Sequence, residues 1–411
     1  MDEKILIINA GSSSLKFSLY GMPNEVEIVN GVVERIGEEE SCYSLKFNGK
    51  KIEGKKVITD HTGAVQTMLN ELLSNQLIKT LDEIHGVGNR ILHGGEIYSD
   101  SVLIDEKVLK DIKDLTVLGP LHHPGELAAI FAIKRYLPKV PQVAVFDTAF
   151  NQTMPKEEFM YAIPKEFYHK DHVRRYGFHG TSYKYITRYM QKELNKENVN
   201  LIICHIGSGA SVACIKDGKC YATSMGMTPL AGVVMGTRSG DIDPSIIPYL
   251  CERRHLTVNQ VNSILNKNSG LKGLSGKNDF RDNEELAKNG NEDAKLAIAK
   301  LRESIKDYIG SYYFKLDGNV DAIIFTAGIG ENVSSIREDL VNSMSHALGV
   351  KLNKEMNDNI AKFKKYQTGV ITTDDSKTKV MVIPTNEEYI ILKDAYRLSK
   401  IAENKQKKLV K

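Results

Sequence analysis

Five cysteines, Cys42, Cys204, Cys214, Cys220 and Cys251, are scattered through 411 residues, and no CxxC pair occurs among them. An odd count without paired spacing fits a reducing compartment better than a disulfide framework, so these residues read as mostly buried small hydrophobes. No run of about twenty apolar residues is present, and no membrane span is predicted. The acidic N-terminus enters the apolar run Ile5–Ile8 at once, without the basic region, long apolar segment and cleavage site of a secretion signal. Nor is there an excess of charge: 55 Lys+Arg against 52 Asp+Glu give a net +3. That balance removes any global electrostatic reason to propose nucleic acid or an acidic membrane as partner, although a local basic cleft stays possible. A cytoplasmic enzyme is the expectation, with a structural or adaptor protein as its competitor.

What is present describes a soluble globular protein: 41% of the residues are hydrophobic and 26% charged. The length exceeds that of one ordinary domain, so two or more compact units are expected. A chain of this size removes roughly three quarters of its extended surface from water on folding, and needs neither metals nor disulfides to build a core.

Lys4–Ile8 reads as a buried strand, followed by the turn Asn9–Ser14 and a second strand Leu15–Tyr20. Further strands are expected at Glu27–Val33 and Cys42–Phe47, with a helix over Gly63–Leu73. The opening pattern recurs at Leu201–Ile206, Gly207–Gly209 and Ala210–Ile215. Strand, small-residue turn, strand thus appears twice, which suggests two related sheet domains whose polar turns face a shared cleft. Helical periods dominate Glu126–Tyr136, Thr181–Glu193 and Asn291–Phe314, while Val320–Phe325 and Lys379–Ile383 read as strands. This alternation favours an α/β architecture. Thr326–Asn332 reads as a glycine-bearing passage toward a helix starting near Val333, and Thr385 as the cap of a final helix with Glu388 in the capping-box position.

Several polar clusters carry possible chemistry. Asn9-Ala-Gly-Ser-Ser-Ser-Leu-Lys16 places hydroxyls, amides and one cation directly beyond a strand, an arrangement able to surround phosphate oxygens; a plain polar hairpin is the alternative. No GxxxxGK[S/T] phosphate loop occurs. Arg90, within Gly88–Gly95, has a guanidinium suited to fork around a carboxylate or phosphoryl group, and Asp147 to orient it through water or metal; either equally suits a structural ion pair. His93, His122 and His123 define no metal site by spacing. His179 lies between glycines just before a predicted helix, where its ring can reach a cleft and helix-end amides add positive potential; a turn histidine satisfied within the fold is the competing reading. Met225–Pro244 holds too many turn residues for a long helix, and Arg238 within it is a candidate second cationic clamp.

Taken in order, Ile7-Ile-Asn-Ala-Gly-Ser-Ser-Ser-Leu-Lys16, Arg174-Arg-Tyr-Gly-Phe-His-Gly-Thr-Ser182, Met235-Gly-Thr-Arg-Ser-Gly-Asp-Ile-Asp-Pro244, Asp279-Phe-Arg281, Gly328-Ile-Gly-Glu-Asn332 and Pro384-Thr-Asn-Glu-Glu388 resemble the signatures of the acetokinase family. That family belongs to the acetate and sugar kinase/Hsp70/actin superfamily, and the resemblance spans nearly the whole chain. It implies two related actin-like (ribonuclease H-like) α/β domains with a catalytic cleft between them. The first would comprise residues 1–148 plus 385–411, and the second, nucleotide-binding and dimerising, residues 149–384. It implies an enzyme that makes or uses acetyl phosphate with acetate, ATP/ADP and magnesium or manganese, working as a homodimer.

By the same resemblance, Asn9, Ser12, Ser14 and Lys16 would lie on the phosphate side, with Asn9 and Glu387 as the magnesium-side groups. Arg90, Asp147, His179 and Arg238 would form the catalytic set, His179 and Arg238 stabilising developing oxygen charge. Leu92, Leu121, His122 and Phe178 would join Arg90 around the acyl substrate. His205, Ile206, Gly207, Ser208 and Gly209, then Asp279, Phe280 and Arg281, then Gly328, Ile329, Gly330, Glu331 and Asn332 would serve the nucleotide. Glycine at 328 leaves room for adenosine and favours ATP over pyrophosphate. Three departures stand out: Ser208 replaces an asparagine, His123 replaces the asparagine of Leu-His-Asn-Pro, and Tyr183 replaces the histidine after Gly-Thr-Ser.

The chemistry so implied asks little of a base, because acetate is already a nucleophilic carboxylate at neutral pH. Charge neutralisation, in-line approach and exclusion of water are the harder requirements. Acetate is the expected acyl substrate. Propionate is the nearest alternative, since one methylene is worth only about 1–3 kcal/mol of discrimination.

Overall fold

A computed structural model describes residues 3–120, 122–360 and 368–409, with side chains through residue 405. The chain divides into two compact units, Met1–Ala149 with Asn386–Lys411, and Phe150–Thr385. Each unit is built on one sheet.

In the first unit the strands are β1 (Glu3–Ala10), β2 (Ser14–Met22), β3 (Val26–Glu34), β4 (Ser41–Phe47), β5 (Lys50–Lys56), β6 (Ile84–Ile91), β7 (Val102–Leu103) and β8 (Gln142–Phe146). They lie in the order β5-β4-β3-β2-β1-β6-β8-β7. The first five form an antiparallel meander. β6 then runs parallel to β1, β8 parallel to β6, and β7 antiparallel to β8. Ile5, Leu6, Ile7 and Ile8 are all buried because β1 is covered on both faces. Side chains alternate across a strand, so Leu6 and Ile8 join a core with Val65, Met68 and Ile133 from the helices His61–Ser74 and His123–Tyr136. Ile5 and Ile7 meet Ile391, Leu392 and Ala395 of the helix Glu387–Leu409 on the other face.

β6 escapes a reading by local apolar pattern, and the reason is tertiary. A Cβ on Gly86 would lie 2.2 Å from Ser399 Oγ, and one on Gly88 2.6 Å from Ile391 Cγ2. The glycines that dilute the strand's hydrophobic signal let the C-terminal helix press directly on its backbone.

In the second unit, β9 (Leu201–Ile206), β10 (Ala210–Lys216), β11 (Lys219–Thr223), β12 (Ala322–Thr326), β13 (Gly369–Val370) and β14 (Lys379–Val382) pair in the order β11-β10-β9-β12-β14-β13. β9, β10 and β11 form an antiparallel meander, β12 is parallel to β9, β14 to β12, and β13 is antiparallel to β14. The two sheets therefore share a six-strand pattern of order and sense, with β4 and β5 as additions to the first. Tyr183, Ile186 and Met190 of the helix Gly180–Glu193 pack with Leu201, Ile203, Ala213 and Ile324. No helix among the described residues is long and apolar enough to cross a membrane.

One local expectation is refined and another corrected. The glycine-bearing passage Thr326–Asn332 is itself largely a short helix, Ala327–Asn332, separated by Val333 from the helix Ser334–Leu348. The carboxylate of Glu331 closes that turn by accepting from Ala327 N at 2.7 Å. The last helix is capped by Asn386, whose Oδ1 accepts from Tyr389 N at 3.0 Å, and not by Thr385. Thr385 N instead donates to Glu331 at 3.0 Å, and Glu388 accepts from Ser18 and Tyr20 rather than closing a capping box.

Candidate active site

Three parallel strands of the first unit end together. Asn9 is near the carboxyl end of β1, Arg90 near that of β6, and Asp147 directly follows β8. Such ends are where open α/β sheets gather ligands. Arg90 forks onto Asp147, with Nε 3.3 Å from Oδ1 and Nη2 in a close charged contact with Oδ2, while Nη1 donates to Asn9 Oδ1 at 3.2 Å. Asp147 is buried and Arg90 partly exposed. The pair therefore presents a guanidinium held in place by the Asp147 carboxylate.

The turn after β1 is fixed by a Gly11 N–H donated to Ser14 O at 2.8 Å and by His61 Nε2 donating to Gly11 O at 2.8 Å. Ser12 and Lys16 are exposed, Ser14 is half-buried, and Lys16 faces Asn9 across the β1–β2 pair. His122 is the residue before the helix His123–Tyr136. Leu92 is buried just past Arg90. Leu121 lies outside the described residues.

Glu387 opens the last helix. Burial, and then the Asp147 carboxylate, push its carboxyl up to about 7 against the pull of Arg90. Crowded carboxylates with an amide oxygen nearby are a hard-oxygen donor set that fits a magnesium ion, which takes few protein ligands and completes its shell with water and phosphate. No cluster of three or more His, Cys, Asp or Glu side chains able to hold a metal occurs among the described residues. Asn9 Oδ1 already accepts from Arg90 and has one further lone pair to offer.

The second unit holds the histidines. Gly177 has φ +70°, and a Cβ there would strike Thr223 Cγ2 at 2.1 Å. His179 follows in the left-handed region with φ 59°, a conformation uncommon outside glycine, and begins the helix Gly180–Glu193. Its Nδ1 lies 2.8 Å from Ser211 Oγ, which also meets the Tyr183 hydroxyl in a close contact. Tyr183 is thus a buried brace for the His179 ring. His205 stacks beneath His179, its Nδ1 2.9 Å from Ser182 Oγ. Phe178 is buried.

Arg238 donates to Pro229 O at 3.2 Å and contacts Met235 Sδ at 3.6 Å, with no carboxylate in ion-pair range among the described residues. Desolvation pushes its guanidinium below the ordinary value. A Cβ on Gly209 would stand 3.5 Å from Arg238 Nη1 and 3.7 Å from His179 Nε2, so two side-chain nitrogens converge over a residue with no side chain. Ser211 was missed by sequence reasoning because it sits inside an apolar strand and carries no motif signal.

Beyond the carboxyl ends of β9 and β12 lies a cavity of ≈ 710 Å³. Gly207, Ser208, Asp279, Phe280, Arg281, Gly328, Ile329 and Asn332 line it, together with Glu284 and Ser335, which the sequence did not single out. A Cβ on Gly328 would meet nothing within 4 Å. Asp279 caps the helix Phe280–Lys288 and pairs with the exposed Arg281 at 2.7 Å. His205, Ile206, Gly209, Gly330 and Glu331 are not among the lining residues; Ile206 and Gly330 are buried, and Glu331 ties Ala327 to Thr385.

Two α/β units, the first holding Asn9, Arg90 and Asp147 at the ends of parallel strands and the second holding His179, His205, Arg238 and a cavity, define a protein suited to anionic ligands. The chain belongs to the acetokinase family, whose sequence model matches residues 4–393. It is 48% identical over 401 residues to acetate kinase of Geobacillus sp. (strain WCH70), covering 97% of this chain and 99% of that one. Among solved structures it is similar to Porphyromonas gingivalis acetate kinase, with a TM-score of 0.91, 40% identity and coverage of 96% and 99%. It is also similar to a propionate kinase from Francisella tularensis subsp. tularensis SCHU S4, with a TM-score of 0.90, 38% identity and coverage of 96% and 100%.

Proposed function

We propose that this chain is an ATP:acetate phosphotransferase, transferring the γ-phosphoryl group of ATP directly and reversibly to acetate to give ADP and acetyl phosphate. The observation that carries this reading is the 48% identity to an acetate kinase across 97% of the chain. Arg90 binds the acyl carboxylate, and Leu92, His122 and Phe178 are the residues assigned to recognising the acyl group. Asp147 holds Arg90 in register. Arg238 and His179 stabilise the oxygens of the phosphoryl group in flight, where donors fixed in advance contribute most.

Asn9, Ser12, Ser14 and Lys16 steady the phosphates, while Ser208, Asp279, Phe280, Arg281, Gly328, Ile329 and Asn332 receive the adenosine. Glu387 and Asn9 would hold the magnesium ion, which when bound neutralises phosphate charge. The acyl oxygen attacks phosphorus as the ADP oxygen leaves, so no covalent enzyme intermediate is needed.

The matching strand order and sense of the two sheets supports an actin-like pair of related domains. Homodimerisation through the second unit is part of the proposal, and the molar mass of the purified protein by light scattering tests it. The five unpaired thiols support a cytoplasmic setting.

Purified protein given ADP and a panel of acyl phosphates should form ATP fastest from acetyl phosphate. The similarity to a propionate kinase favours a second reading, in which propionyl phosphate would be the faster donor. Preference for propionyl or butyryl phosphate would reject acetate as the substrate. Repeating the panel with GDP or inorganic phosphate in place of ADP, with and without magnesium, tests the nucleotide and the ion.

A further inference from the structure

Glu126 occupies the apolar face of the helix His123–Tyr136, in line with Ala129, Ile130 and Ile133, and is only 3% exposed. Its Oε1 accepts from Leu92 N at 3.0 Å. That amide lies two residues past Arg90, where the chain leaves β6. Glu126 Oε2 and His123 Nε2 are both buried without a hydrogen-bond partner, 3.9 Å apart. His123 Nδ1 lies 3.0 Å from Ile112 O and donates to that carbonyl.

We propose that Glu126 is a positioning residue that anchors the Leu92 amide and so fixes the wall of the acyl pocket relative to the Arg90 clamp, setting the preference for acyl size. The proposal rests on the acyl-pocket reading of Leu92 and Arg90 above. A buried acceptor aimed at one amide beside the clamp is a means of holding geometry; the core face on which it sits asks for an apolar side chain. Burial pushes the carboxyl up to about 8, and Asp147 adds to this while Arg90 and the Leu92 amide oppose it, so the neutral form prevails at neutral pH. The groups facing it are Arg90 and Asp147 from the strand ends and His123 from its own helix.

The full-length protein is compared with Glu126→Gln and Glu126→Ala by measuring KM for acetate, propionate and ATP, together with kcat. Glutamine keeps a carbonyl acceptor for Leu92, so acetate KM should stay within about twofold of the parent. Alanine should raise acetate KM by roughly tenfold, leave ATP KM within about twofold, and shift kcat/KM toward propionate. The parent's acetate KM should also climb above about pH 8, as the carboxyl ionises beside Asp147, while the glutamine variant's stays level.

If alanine prevents folding, Glu126→Asp withdraws the acceptor and takes its place in the comparison. A folded alanine or aspartate variant with unchanged acyl KM and acyl preference, and only a lowered melting temperature, overturns the proposal. A glutamine variant as impaired as alanine does the same. Absence of acyl phosphate turnover in the parent would instead reject the reading on which the proposal stands.

Discussion

His179 and His205 stack with ring centroids 4.0 Å apart and planes 18° from parallel, each tied through Nδ1 to a different serine. His179 depends on Ser211, and Ser211 on Tyr183. Ser211→Ala and Tyr183→Phe should each lower kcat by roughly three- to tenfold, the value of one lost hydrogen bond, with acetate KM little changed. Steady-state assays of variants whose melting temperatures match the parent's would show this; unaltered kcat in both would remove the brace from the account of His179.

The two arginines should fail differently. Arg238 has no carboxylate partner among the described residues, so Arg238→Ala should cost on the order of a hundredfold in kcat with little loss of stability. Arg90→Ala strands Asp147, whose side chain is 2% exposed. Loss of one partner from a buried pair costs about 3–5 kcal/mol, so this variant should lose both turnover and several degrees of melting temperature. Calorimetry beside kinetics separates the two.

Two glycines define empty space that a side chain would fill. Gly328→Leu meets no neighbour at its Cβ and should fold normally while raising ATP KM by about tenfold or more, because bulk enters the cavity. Gly209→Ala makes ordinary contacts of 3.5 and 3.7 Å with Arg238 and His179, and should lower kcat/KM by roughly tenfold without loss of stability. Normal kinetics in both would disconnect these positions from the reaction.

Stability should fall as pH rises. Glu126 and Glu387 have carboxyls raised to about 8 and about 7, so between the ordinary carboxylate range and those values the folded state binds more protons than the unfolded one. Their stabilising protonation is complete below the ordinary carboxylate value and is lost as pH rises through about 7 and 8. For Glu126 the window from pH 5.5 to 8.5 spans up to roughly 3 kcal/mol. Urea midpoints measured without magnesium should decline across this window in the parent, and less steeply in Glu126→Gln. Parallel curves would show that the Glu126 carboxyl does not titrate there.

Much of the scaffold was legible locally. The apolar runs of β1, β9 and β12 and the periodic helices Gly180–Glu193 and Glu292–Lys315 announce themselves, because burial on both faces or along one stripe leaves a pattern in neighbouring residues. β6 did not, since its glycines serve a helix more than three hundred positions away in sequence. Glu126 left a faint trace as the one acidic residue on an apolar helix face.

The sequence by itself determined which residue types were on hand: arginines, histidines, hydroxyl-bearing turns and glycine-lined loops, each tied to a strand or helix end by short-range periodicity. Tertiary structure alone decided which of them meet. Parallel pairing of β1, β6 and β8 joins Asn9, Arg90 and Asp147 across separations of 81 and 57 residues, and the β9–β10 pairing and its packed helix bring Ser211 and Tyr183 to His179. Side-chain contacts of that kind are set by strand register and helix packing, which no local stretch of sequence encodes.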